Sequence, residues 1–246
     1  MTRALYLGSA GAKTASACDH ALVISSALSA KRRYPVARLA RVVSSTTVGW
    51  TGGALALCLT HGVSVTWLDN QGQVIGTAIP QRRGRISAST ALQILIESPA
   101  GLLRYHNWLR SRRMQVFSHW LNTQDAQLSL QATHEVKRSW VYTSNHSAHL
   151  PETLRGLCLA YVTAQLAHHD LQPTMWTEDA QPIDLDEDLC GLLWAEMNLC
   201  SGNLANTLQH QQSTVSLFES WSARNASALL IHIHSLQRCA QRALLE

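Results

Sequence analysis

Tyr34-Pro35-Val36-Ala37-Arg38-Leu39-Ala40-Arg41-Val42-Val43, continuing through Thr47 to Gly76, is the stretch whose reading decides the fold. Pro35 fixes the backbone ahead of a short amphipathic turn, and Val42-Val43 begin a β-branched run, so a strand is expected there. Thr51-Gly52-Gly53-Ala54-Leu55-Ala56-Leu57-Cys58-Leu59-Thr60 reads as one short helix, with Thr51 as its N-cap and Leu55 and Leu59 four apart on one side. His61-Gly62 ends that helix with a C′ glycine. Val63-Ser64-Val65-Thr66-Trp67-Leu68 then alternates as a half-buried strand does. Asp69-Asn70-Gln71-Gly72 supplies turn chemistry, and Gln73 to Gly76 forms the return strand of a hairpin.

Working outward, Ala4 to Leu7 and Ala21 to Ser25 read as short strands, with a turn at Gly8 to Gly11 between them. Gly8 to Lys13 lacks the spacing and the Lys-Ser/Thr ending of a phosphate loop, so a plain turn is preferred. Lys31-Arg32-Arg33 is read either as a solvated turn or as a contact to phosphates. Ile79 to Ser87, with Pro80, Gly84 and three arginines, reads as an exposed linker. Beyond it the apolar period becomes helical: Thr90 to Glu97 up to a break at Ser98-Pro99, then Leu102 to Arg110 and Met114 to Leu121. The fold class expected is α+β, with a small β-domain holding one short helix over 1–79, a basic linker over 80–87 and a larger all-helical domain over 88–246.

The chain has 246 residues, enough for two modest domains with real cores. Its net charge of +4 hides a strong polarity. Residues 1–113 hold fourteen Lys or Arg against Asp19, Asp69 and Glu97, whereas the remainder holds six basic and thirteen acidic residues. Such asymmetry points to nucleic acid or to an oppositely charged subunit. The six cysteines form no C-x-x-C pair and read as free thiols rather than disulfides or a zinc site. No run of 18 apolar residues and no signal sequence is present, so a cytoplasmic protein with no membrane partner is expected.

The organising stretch resembles the N-terminal β-domain of the CRISPR-associated Cas-one family, the DNA integrase/endonuclease of spacer acquisition in antiviral defence. The resemblance rests on Tyr34-Pro35-Val36 with Leu39 and Val42-Val43, and on Gly52-Gly53-Ala54 with Leu55 and Leu59. Gly62 to Leu68 and the hairpin ending at Gly76 complete it, with Leu5-Tyr6-Leu7 as the opening strand. It implies a helical catalytic domain, a homodimer formed through the β-domain, DNA as partner, other CRISPR-associated proteins nearby, and Mg²⁺ or Mn²⁺ as the ion of an active member.

Carried over residue by residue, the resemblance places a metal-binding glutamate at Glu135, with Asp125 as a second choice, although the usual following glycine is missing. Pro182-Ile183-Asp184-Leu185 matches the apolar-Asp-Leu motif whose aspartate binds the metal, making Asp184 the matching ligand. Each has a plainer reading: Glu135 as an ordinary solvated glutamate, and the acids from Asp184 to Asp188 as a helix start favoured by the dipole. After Pro173 the family carries a catalytic histidine; here Thr177, Glu178 or Asp179 fills the position. Glu178 or Asp179 would be hard oxygen ligands in its place. DNA contacts are expected from Arg82, Arg83 and Arg85 in the linker and from Arg110, Arg112 and Arg113. Two family functions follow: a DNA-binding or assembly subunit with an incomplete metal site, and an active metal-dependent integrase. A two-domain nucleic-acid-binding protein outside the family is the third.

Overall fold

A computed structural model of the chain describes residues 3–8, 13–26, 29–80, 88–122, 129–143, 150–177, 181–200 and 213–243. The expected arginine linker therefore lies outside the described residues, as do Asp125, Glu178 and Asp179. The chain divides into two compact units, Met1–Arg85 with Arg155–Leu171, and Ile86–Leu154 with Gln172–Glu246.

The first unit is built on two four-stranded sheets. One orders the strands β1 (Arg3–Leu7), β5 (Leu39–Ser45), β7 (Ser64–Leu68) and β8 (Val74–Ala78) side by side; the first three are parallel, and β8 returns antiparallel to β7. The other runs β4 (Ser29–Pro35), β3 (Ala21–Ser26), β2 (Lys13–Cys18), β6 (Val48–Trp50). Helix α1 (Gly52–Thr60) is the crossover that lets β5 and β7 lie parallel, which a tight turn cannot do. Its start is the expected one: the Thr51 hydroxyl accepts from the Ala54 amide at 3.2 Å. Its end is set by Gly62 at φ +77°, a left-handed conformation that costs a glycine little. In the β7–β8 turn the Asp69 carboxylate accepts from the Gln71 and Gln73 amides, both at 2.8 Å.

Ala15, Leu22, Val42, Ala54, Cys58 and Val65, each fully buried, form the centre of this unit's core. Burial pushes the Cys58 thiol up to about 11, so it packs as a small apolar group. Helix α5 (Glu152–His168) belongs here from Arg155 onward, and two contacts show why. Gly156 presses on the Gly72 carbonyl so closely that any Cβ would overlap it. The buried Arg41 guanidinium donates to the Tyr6 hydroxyl at 3.1 Å and lies 5.0 Å above the Tyr161 ring. Trp50 and Trp67 meet edge to face at 6.0 Å and pack on the same core, with the Trp50 indole donating to Ser44.

Lys31-Arg32-Arg33 is neither a turn nor an isolated cluster but part of edge strand β4, where exposed cations discourage pairing with another chain. Arg33 pairs with Asp19 at 3.1 Å in the open.

The second unit is helical: α2 (Ala88–Glu97), α3 (Gly101–Asn122), α4 (Leu130–Lys137), α6 (Leu185–Cys200) and α7 (Thr214–Ala243), with a π-helical turn over Arg138–Thr143. Helix α3 packs on α2, α6 and α7 around Leu92, Leu95, Tyr105, Leu189, Leu193 and Phe218. Its two expected halves are one helix, because Ser111-Arg112-Arg113 carries no breaker. The unit departs from the all-helical expectation for 88–246, since Thr174–Trp176 (β9) and Pro182–Asp184 (β10) form an antiparallel hairpin. Among the described residues no helix is long and apolar enough to cross a membrane.

Candidate functional site

The β9–β10 hairpin delivers Asp184 directly to the first turn of α6. Its register pairs Asp184 with Thr174, Ile183 with Met175 and Pro182 with Trp176. The buried Met175 and Ile183 side chains anchor it, leaving Asp184 and Trp176 exposed on either end. Thr177 closes it: its hydroxyl donates to the Gln181 carbonyl at 3.2 Å and accepts from the Gln181 amide at 3.0 Å. Helix α6 therefore opens on Asp184, Asp186, Glu187 and Asp188, a run that the positive end of the helix dipole favours.

These carboxyls have different partners. Asp184 accepts from the Thr174 hydroxyl at 3.2 Å. Asp186 accepts from the Glu187 amide at 2.9 Å. Burial pushes the Asp186 carboxyl up to about 6, with that amide opposing the shift and the charges of Glu187 and Asp184 adding to it. Asp188 faces back into the bundle, where the fully buried Tyr105 donates to Oδ2 at 2.7 Å and Arg113 to Oδ1 at 3.5 Å. Burial raises the Asp188 carboxyl above its ordinary value, while Tyr105, Arg113 and His106 hold it down in part. The Tyr105 hydroxyl is raised in turn, first by burial and then by the Asp188 charge.

Glu135 stands elsewhere. It is exposed on α4, near the Gln131 amide, and lines a hollow of about 370 Å³ with Trp120, Trp140, Asn198 and Leu199. Asn198 is fourteen residues along α6 from Asp184, or about 21 Å at 1.5 Å per residue. The structure thus does not bring Glu135 and Asp184 together: they stand at opposite ends of α6. No group of three His, Cys, Asp or Glu is placed to hold a metal among the described residues. Asp188 is turned onto Tyr105 and Arg113, and Asp184 accepts from Thr174.

Of the arginines expected to face DNA, Arg110 is exposed, Arg112 donates to Gln115 at 2.7 Å and Arg113 is committed to Asp188. Sequence reasoning missed the Tyr105–Asp188–Arg113 group. The available signal was the eight-residue spacing of Tyr105 and Arg113, two turns apart on one face of α3. Nothing in the sequence pairs them with a residue 83 and 75 positions away.

The family model for CRISPR associated protein Cas1 matches residues 5–135. Among solved structures, a Cas1 protein from Thermotoga maritima superposes with a TM-score of 0.76 at 13% identity, over 97% of each chain. TtCas1 in a DNA complex gives a TM-score of 0.56 at 16% identity, over 98% of this chain and 90% of that one. A casposase bound to integration product gives 0.50 at 12% identity, over 97% and 82%. A search of curated protein sequences gives no match. At such identities the structural likeness establishes the fold.

Proposed function

The chain belongs to the Cas1 family of CRISPR associated proteins, and from that premise we propose that it acts as a DNA-binding or assembly subunit of this integrase family, with an incomplete catalytic metal site. The observation that carries this reading is the parting of the two acids that the resemblance nominates. Glu135 shares a hollow with the last turn of α6, while Asp184 stands before its first turn. Metal-assisted phosphoryl chemistry needs several ligands converging on one ion. Here Asp188 is held by Tyr105 and Arg113, and Thr177 occupies itself with the hairpin.

DNA as partner is supported by the basic excess of residues 1–113 and by structures of this fold solved in a DNA complex and bound to integration product. The linker arginines Arg82, Arg83 and Arg85, together with Arg110, are the proposed contacts to the DNA backbone. Self-association through the strand unit and assembly with other CRISPR-associated proteins in the cytoplasm complete the proposal.

The test is integration of a short duplex into supercoiled plasmid with Mg²⁺ or Mn²⁺, alongside duplex binding by fluorescence anisotropy. The expected result is binding that weakens steeply with salt, and no integration above the background of Asp184→Ala and Glu135→Ala. Robust product that disappears in Asp184→Ala would restore an active integrase and refute the incomplete site.

A further inference from the structure

Two imidazole rings meet in the strand unit. Strands β2 and β3 are joined by a two-residue turn, since Cys18 pairs with Ala21, and Asp19 within it takes φ +53°, a left-handed conformation that the short Asp side chain tolerates. His20 completes the turn, and its carbonyl accepts from the Val36 amide at 3.0 Å, which holds the backbone in place. His61 is the C-cap of α1, with its own amide bonded back to the Leu57 and Cys58 carbonyls. Helix α1 lies on the β2–β3 hairpin because Ala54 and Cys58 are buried in the same core as Ala15 and Leu22. That packing brings the C-terminal end of α1 to the β2–β3 turn. The His20 and His61 rings stand edge to face with centroids 6.1 Å apart, and both residues are exposed.

The proton on His61 is assigned by its partner. Nδ1 lies 2.9 Å from the Leu57 carbonyl, and a carbonyl oxygen only accepts, so Nδ1 carries the hydrogen. In the neutral ring Nε2 is then left with a lone pair to give. Metal-ligating histidines share this arrangement, one ring nitrogen fixed by a carbonyl and the other open to the ion. Two rings that hold one ion through nitrogens about 2.1 Å from it have centroids roughly 5 Å apart at a tetrahedral angle, and up to about 6.5 Å as the angle opens. The observed 6.1 Å lies within that span. The Arg33 guanidinium on β4, whose charge would oppose a cation, is paired with the Asp19 carboxylate at 3.1 Å.

We propose that His20 and His61 form a two-nitrogen seat for one divalent transition ion of the Zn²⁺, Ni²⁺ and Cu²⁺ class, with water completing its coordination. Imidazole suits these ions, whereas Mg²⁺ takes oxygen ligands. The seat uses neither Asp184 nor Glu135 and stands independently of the DNA-binding reading. An ion held there ties the end of α1 to the β2–β3 turn, a staple between two elements that the chain itself joins only through β3 to β6.

The experiment follows acylation of each histidine of the full-length chain by diethyl pyrocarbonate, read by peptide mass spectrometry, as Zn²⁺ is raised and with Mg²⁺ in a parallel series. Zn²⁺ should slow acylation of His20 and His61 together, at one midpoint concentration. His20→Gln should raise the midpoint for His61 at least about tenfold, and His61→Gln should do the same for His20, because the second nitrogen no longer acts at high effective concentration. Both residues are exposed, so the fold should survive these changes, and circular dichroism checks it. Equal acylation of both histidines with and without Zn²⁺ refutes the seat. Protection of His61 that persists at the same midpoint in His20→Gln shows a lone imidazole at work and refutes the pair. Equal protection by Mg²⁺ overturns the class of ion. Slowed alkylation of the exposed Cys18, with both histidines still reactive, moves the ion to the thiol and overturns the assignment.

Discussion

On one face of α3, Tyr105 and Arg113 close on the Asp188 carboxylate at 2.7 and 3.5 Å; on the adjoining face, Arg104 and Arg112 look across at Arg238 and Arg242. Arg112 and Arg113 are chain neighbours, and the 100° helical step between them separates an ion pair from a groove that four arginines line. The first face has the character of structure: it is buried, hydrogen-bonded and internally neutralised. The second has the character of a solvated surface: Arg104, Arg238 and Arg242 are exposed, and Arg112 donates to Gln115 on its own helix. Charge count alone does not distinguish the two, whereas the partner of each charge does.

The largest expected effect comes from the paired face. Tyr105→Ala removes a fully buried aromatic together with its Asp188 hydrogen bond, and should lower unfolding free energy by roughly 3–5 kcal/mol in urea denaturation. Tyr105→Phe keeps the packing and strips only the donor, with an expected loss of about 1–3 kcal/mol. Equal stability of Tyr105→Phe and the parent would mean that Asp188 does not depend on the hydroxyl.

Arg113→Gln and Arg112→Gln form the sharpest contrast, because the same substitution is made one residue apart. The first should cost about 1 kcal/mol, since it leaves a half-buried carboxylate with one partner fewer. The second should fall within roughly 0.5 kcal/mol of the parent, on either side. Similar losses at both sites, read from urea midpoints, would erase the difference between the faces.

Finer still is a double-mutant cycle between Arg112→Gln and Arg238→Gln. It should return a repulsive coupling of about 0.2–0.5 kcal/mol at low salt, an amount typical of like charges on neighbouring helical turns. Salt gives the smallest effect: above about 0.5 M the coupling should vanish, because screening then acts within a few ångströms. An attractive coupling would show that the two guanidinium groups stack rather than repel.

The organising stretch was legible almost residue by residue. Thr51 caps α1, Gly62 ends it, Asp69 and Gly72 turn the hairpin, and Val42-Val43 lie in a buried parallel strand. Each of these is local chemistry, decided by a side chain and the amides within four residues of it. Strands β2 and β4 were not legible. Lys13–Cys18 is made of small residues without a β-branched run, and Ser29–Pro35 carries three successive cations. Both are strands because Ala21–Ser26, lying between them, offers hydrogen-bonding edges on both sides, and that is information held outside the segments themselves.

The site follows the same division. The acidic opening of α6 and the arginine-rich course of α3 stand in the sequence, as does Glu135. Sequence by itself determined which charges exist, which helices carry them and, through the 3.6-residue period, which of them share a face. It could not determine that Arg155 to Leu171 joins the strand unit, since that depends on Gly156 meeting Gly72 and Tyr161 meeting Arg41, more than 80 positions away. Nor could it decide that Asp188 takes Arg113 while Arg112 is left facing Arg238. Those choices depend on how helices pack, and packing is fixed by shape and volume summed over the whole core, so the fate of each charge is decided only when the bundle closes.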